Sequence, residues 1–122
     1  MAGKKLDQGK APIHLVPTEI VVGIAMAFGM GAEKYGEWNY REGISYTRLI
    51  DSLLRHTLAF LNGEDNDPES GYPHTWHIGA NIAMLEWMRV NKPELDNRYK
   101  GKKNATKSKK VKSRSKTSKL RN

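Results

Sequence analysis

The stretch from Pro73 to Asn91, closed by Pro93, constrains this chain more than any other. At helical spacing it is apolar almost all round. Trp76, Ala80, Ala83 and Trp87 fall on one side, Ile78, Met84, Leu85 and Met88 on the other, and only the strip around Glu86 and Arg89 is wet. A helix that is apolar on every side has to be buried, so it is expected at the centre of the fold, or with its second face against another subunit. Its ends are marked chemically. Proline suits the first position of a helix, and the residue before a proline disfavours helical geometry.

Two further helices are expected ahead of it. The first opens at Pro17 and Thr18, carries Glu19 in its first turn and ends at Gly36. Ile20, Val21, Ile24, Ala25, Phe28, Ala32 and Tyr35 form its apolar face. The second runs from Tyr46 to about Leu61 with Ser45 as its cap, and Gly63 stops it. Leu49, Ile50, Leu53, Leu54, Thr57, Phe60 and Leu61 make its core face, with Asp51 and Arg55 as an i, i+4 pair further round. Residues 1–16 read as an extended arm lying on the body, and Glu37 to Gly43 as a loop rich in aromatic and polar groups. No stretch alternates as a strand would. The fold class is therefore all-α, a small three-to-four-helix bundle. Three such helices are thin alone, so oligomerisation is expected to complete the core.

Charge divides the chain. The 122 residues carry a net +8, yet Arg98 to Asn122 holds twelve Lys or Arg and no acid. The other nine bases face all thirteen acids within residues 1–97, a net of −4. This separates a helical domain, 1–97, from a tail, 98–122, whose Lys, Arg, Ser, Thr and Asn cannot bury enough apolar surface to order it. The tail is expected to be disordered. Its cations suit non-specific nucleic acid as well as simple solvation; with no aromatic from Lys100 onward, it cannot stack on bases. The longest apolar run, Ile20 to Ala32, is broken by three glycines and falls short of the roughly 20 residues that cross a bilayer. With no apolar leader core at the N-terminus, a soluble, cytoplasmic protein without a membrane partner is expected. The absence of cysteine excludes disulfides and thiolate metal sites.

The chemistry collects between Arg55 and Asn81. His74, His77 and Asn81 lie at i, i+3 and i+7, within about 60° of one another on the wheel. Burying three polar groups in an apolar stripe costs energy unless each finds a partner. A metal, a phosphate or facing carboxylates would supply those partners; so would backbone carbonyls. His56 belongs with them if its helix presents it towards His74 and His77. Glu64, Asp65, Asp67 and Glu69 crowd one turn, where a bound cation would relieve their repulsion. The turn is no calcium loop: its glycine comes one place late, Pro68 stiffens it, and Trp76 stands where the bidentate glutamate belongs. Glu33 sits off the main apolar face among Gly29, Gly31 and Gly36, and Lys10, Lys34 and Arg55 are candidate phosphate contacts. There is no phosphate loop and no serine or cysteine nucleophile arrangement. Histidines and carboxylates without a nucleophile point to metal-assisted attack by water, with His56, His77 or an acid moving the proton.

The ordered series Asp7-x-Gly9-Lys10, Gly31-Ala32-Glu33-Lys34-Tyr35-Gly36, Arg55-His56, Gly63-Glu64, Asp67-Pro68-Glu69-Ser70-Gly71 and His74-x-x-His77-x-x-x-Asn81 resembles the phage-borne dATP/dGTP diphosphohydrolase N-terminal-domain family over roughly residues 5–91. The resemblance implies a relative of the MazG-like pyrophosphohydrolases, cutting a purine deoxynucleoside triphosphate between its α and β phosphates with Mg²⁺ (or Mn²⁺). Such enzymes hold metal on a Glu-Glu-x-x-Glu run and a later Glu-x-x-Asp pair, and neither occurs here. In their place the resemblance implies Glu33, Glu64, Asp67, His74 and His77 as metal ligands. It implies Glu33, His56 and His77 as catalytic groups, and Lys10, Lys34, Arg55 and Asn81 as nucleotide contacts. A phage origin would place the protein in the host cytoplasm. Two other readings stay open: a module that binds a nucleotide or nucleotide signal without cutting it, and a nucleic-acid accessory protein acting through the tail.

Overall fold

The computed structural model describes residues 2–101. The reading of a disordered tail, and of nucleic-acid binding by it, lies outside the described residues from position 102 onward. Three α-helices make the body: α1 (Thr18–Tyr35), α2 (Tyr46–Leu61) and α3 (His74–Asn91), with short 3-10 turns at Ile13–Leu15, Asn39–Glu42 and Pro93–Leu95. Among the described residues there is no strand, only an isolated bridge between Asn66 and Pro73. The fold is all-α. No described helix is long and apolar enough to cross a membrane.

The helix that is apolar all round lies at the centre, with both α1 and α2 packed on it. Each contact has its own chemistry. Against α2 the core is Met88, fully buried, with Tyr46 and Leu49, fringed by Tyr40, Ile44, Met84, Leu85, Trp87 and Leu95. Tyr40 meets both Phe28 and Trp87 edge-on, at 5.3 and 5.7 Å between centroids, and so ties the α1–α2 connection to the core. Against α1 the contact is built on missing side chains. A Cβ on Gly23 would lie 2.4 Å from Trp76 Cδ1, and one on Gly79 would lie 2.7 Å from Ile24 Cγ1. Two glycines, one per helix, thus let ring and backbone come together.

That close approach corrects the expected face of α1. Gly23 and Ala27 are its buried residues, flanked by Ile20, Ile24 and Phe28, while Val21, Ala25 and Tyr35 stand exposed. The helix turns its small residues inward because Trp76 fills the space. In α2 only Tyr46 and Leu49 are buried; Leu54, Thr57, Phe60 and Leu61, read as core, are exposed, as is Leu58. The N-terminal arm does not seat on the body either: residues 2–19 are exposed, Leu6 at 93%. Ser45 makes no side-chain cap; its carbonyl accepts from Arg48 and Leu49 instead. After α3, Asn97 Nδ2 donates to Thr47 Oγ1 at 2.8 Å, and Asp96 accepts two bonds from the Arg98 guanidinium and one from its backbone N–H, with Lys100 Nζ at 3.0 Å. Arg98, then Lys100, hold the Asp96 carboxyl well below the usual range. The first two cations of the basic stretch are therefore pinned beside the body.

Candidate functional site

The acidic turn is folded back onto the start of α3. Gly63, at φ 99°, redirects the chain out of α2. Asp67 N–H then donates to Tyr72 O at 2.8 Å, Gly71 N–H to Asp67 O at 2.7 Å, and His74 N–H to Asp65 O at 2.9 Å. These bonds close a loop that lays Glu64 and Asp67 beside the first turn of α3, opposite His56 of α2.

Three histidines meet there. The Nδ1 atoms of His56 and His74 are 2.8 Å apart, His74 Nε2 is 2.7 Å from Glu64 Oε1, and the rings of His56 and His77 stack at 4.5 Å and 11°. His77 Nε2 shares a 2.7 Å hydrogen bond with Ser70 Oγ and stands 3.8 Å from Asp67 Oδ2. Proton positions follow from the chemistry of the partners. A carboxylate oxygen only accepts, so His74 Nε2–H donates to Glu64. With that one hydrogen on His74, its Nδ1 accepts from His56 Nδ1–H, and His56 Nε2 is left with a free lone pair. The result is a carboxylate–imidazole–imidazole relay, with buried His74 in its middle.

Burial, first of all, lowers the pKa of both His56 and His77 against the opposing pull of Asp67; His56 also feels His77, His74 and Arg55, and His77 feels His74. Lys34 is among the charges lowering His77. For Asp67, burial works upward, but hydrogen bonds from Ser70 and the Glu69 backbone outweigh it and the carboxyl is held low. At neutral pH His56 and His77 are therefore neutral and Asp67 is ionised. A histidine lowered from 6.5 in the native state binds fewer protons there than in the unfolded chain. Its stability contribution is complete above about pH 6.5 and is lost as pH falls towards the native value. Urea midpoints measured from pH 8 to 5 are expected to be level first and to fall below about 6.5; a midpoint rising on acidification contradicts the buried neutral state.

The donor set suits a divalent cation. His56, Asp67 and His74 each bring a ligand atom within 4.8 Å of the others. The 2.8 Å between the two Nδ1 atoms is close to the roughly 3 Å separating neighbouring ligands on a cation with bonds of about 2.1 Å. A cation there would replace the single proton those nitrogens share. Imidazole suits later transition-metal ions such as Zn²⁺, Fe²⁺ and Ni²⁺, while the Asp67 carboxylate also suits Mn²⁺; Mg²⁺ prefers an all-oxygen shell.

The residues singled out from sequence divide by place. His56, Glu64, Asp67, His74 and His77 are brought together. Asn81, one turn beyond His77, donates from Nδ2 to His77 O at 2.9 Å and to Ser52 Oγ at 3.1 Å. Arg55 lines a neighbouring cavity, unpaired with Asp51 among the described residues, and Lys34 faces the group only through its charge. Glu33 and Lys10 are exposed, and neither bonds to the cluster among the described residues. Ser70 and Ser52 carry connections that sequence reasoning passed over. Ser70 was masked by the acids around it; Ser52, one turn before His56, was its neighbour on the wheel and the stronger signal.

An all-α body with imidazoles and carboxylates gathered where two helices meet a folded-back loop defines the class: a small helical domain with a candidate divalent-cation centre. Comparison gives the family. The chain belongs to the dATP/dGTP diphosphohydrolase, N-terminal family, whose profile matches residues 1–98. A dATP/dGTP diphosphohydrolase of Salmonella phage PMBT28 is 35% identical over 98 residues, which is 80% of this chain and 33% of that protein. The chain thus spans about a third of the length of the curated relative it matches. No solved structure matches it.

Proposed function

We propose that this domain hydrolyses purine deoxynucleoside triphosphates, dATP or dGTP, to the monophosphate and pyrophosphate with a divalent cation. The observation that supports the reading is the convergence of His56, His74 and Asp67, three donor groups from α2, α3 and the intervening loop. These three would hold the cation, which when bound polarises phosphate oxygens and acidifies water. One water adds across the α–β anhydride: its oxygen stays on one phosphorus, and its proton must be taken up. His77, stacked on His56, receives that proton; a neutral His56 that holds the cation at Nδ1 carries its hydrogen on Nε2 and cannot take it up. Arg55 and Lys34 supply positive charge for the polyphosphate. Two imidazoles and one carboxylate suit a first-row transition-metal ion, of which Mn²⁺ is the most oxygen-tolerant, better than Mg²⁺. Incubating the full chain with dGTP is expected to release pyrophosphate, faster with Mn²⁺ than with Mg²⁺. Metal-independent product, or none with either ion, contradicts the reading.

The one-third coverage of the phage relative favours a second reading, a nucleotide-binding module whose partner segment performs the cleavage. It predicts a melting temperature raised by dGTP and Mn²⁺ without product.

Self-association belongs to the same proposal. Val21, Val22 and Met26 on α1, and Leu54, Leu58 and Leu61 on α2, are all more than two-fifths exposed. A second copy would cover these helix faces and complete the thin bundle. Sedimentation is expected to show a dimer or larger species that Leu58→Glu dissociates; a parent sedimenting as a monomer at high concentration refutes it.

A further inference from the structure

A cavity of about 1100 Å³ opens beside the histidines, between the second half of α1, the loop after it, and the Arg48–Arg55 face of α2. The proposed hydrolysis does not explain its contents. Asn81, 7% exposed, lines it with an unmet need: both Nδ2 hydrogens are given, to Ser52 Oγ and His77 O, leaving Oδ1 without a donor among the described residues. The amide cannot be turned round, because His77 O accepts only. A buried acceptor without a partner is costly.

The lining also includes Trp38. It is the one non-glycine residue with positive φ among those described, at 65°, a backbone state that a bulky side chain rarely takes. Such strain persists where the surroundings enforce it, and it clusters at binding sites. Here it holds an indole that is 60% exposed, with the Arg41 guanidinium 4.4 Å from the ring centre. Asp51 and Arg55, which sequence paired, instead both line the cavity. The lining thus combines a buried acceptor at Asn81, charged groups on α2 and an exposed aromatic plate.

We infer that this cavity takes the nucleoside end of the deoxynucleotide: a sugar hydroxyl donates to Asn81 Oδ1, and the purine stacks on Trp38. The inference rests on the proposed nucleotide reading and adds where base and sugar are recognised. Gly31 provides the test, because it lines the cavity and a Cβ there meets nothing within 4 Å. Leucine at that position fills the space without breaking the helix.

Titration calorimetry on the full chain with Mn²⁺ compares dGTP with inorganic tripolyphosphate, which lacks sugar and base. The parent is expected to bind dGTP at least tenfold more tightly. Trp38→Ala and Gly31→Leu should each remove about tenfold or more of that preference, leaving the affinities for tripolyphosphate and for Mn²⁺ alone unchanged. Equal binding of dGTP and tripolyphosphate by the parent overturns the inference, as does a folded Gly31→Leu protein that keeps the preference. Should Gly31→Leu not fold, Trp38→Ala decides alone, since its side chain lies outside the core. Failure of hydrolysis is separable: deoxyguanosine binding that both variants abolish supports the cavity whether or not pyrophosphate is released.

Discussion

Replacing His74 with alanine is expected to weaken Mn²⁺ binding by at least the roughly 10–100-fold that loss of an outer partner of a metal site costs, and to abolish turnover with it. The residue is 3% exposed and joins Glu64 to His56 through its two nitrogens. Removing it takes away a ligand and leaves both His56 Nδ1 and Glu64 Oε1 without their partner, so stability should fall by about 2–4 kcal/mol. Loss of the link also frees His56 to take the other tautomer. His14→Ala, on the exposed arm, should change nothing. Calorimetric titration with Mn²⁺ and a urea melt test both parts; parent-like Mn²⁺ affinity in a folded His74→Ala protein would remove the histidine cluster as the metal centre.

The second large effect is structural. Gly23→Ala should destabilise by about 2 kcal/mol, although alanine is the better helix former by about 1 kcal/mol. The new methyl would sit 2.4 Å from a rigid indole carbon, and Trp76 cannot retreat without pulling α3 away from α1. For a domain of this size that is a melting point lower by about 8–15 °C. Gly29→Ala on the same helix, where a Cβ meets nothing within 4 Å, is the internal control and should be neutral or stabilising. If both substitutions stabilise, the helices do not touch there.

Much of the body was legible because its signals are local. The ends of α1 and α3 follow from Pro17, Gly36, Pro73 and Pro93, whose backbone preferences act within a turn. The central place of α3 follows from its all-round apolar surface. Facing was harder. Wheel counting rewards large apolar residues, so it chose Val21 and Tyr35 and passed over Gly23, whose value lies in lacking a side chain. It also placed Leu54 and Leu61 inside, although a three-helix layer has no room to cover them. At the site, the spacing of His74, His77 and Asn81 was visible as a stripe, and the stripe was all the helix period could show.

By itself, the sequence determined which segments are helical, where they stop, and that polar groups would lie in the buried stripe of α3; these are short-range consequences of propensity and periodicity. Only the tertiary structure decided which groups meet. The 2.8 Å contact between His56 and His74 spans eighteen positions, and the loop that delivers Glu64 and Asp67 is held by backbone hydrogen bonds that no residue pattern announces. The same holds for Glu33, which looks eligible in a motif yet stands on the solvent side of α1. Local chemistry chooses the elements, whereas long-range packing sets their rotation and distance, and a metal or nucleotide site depends on those two quantities.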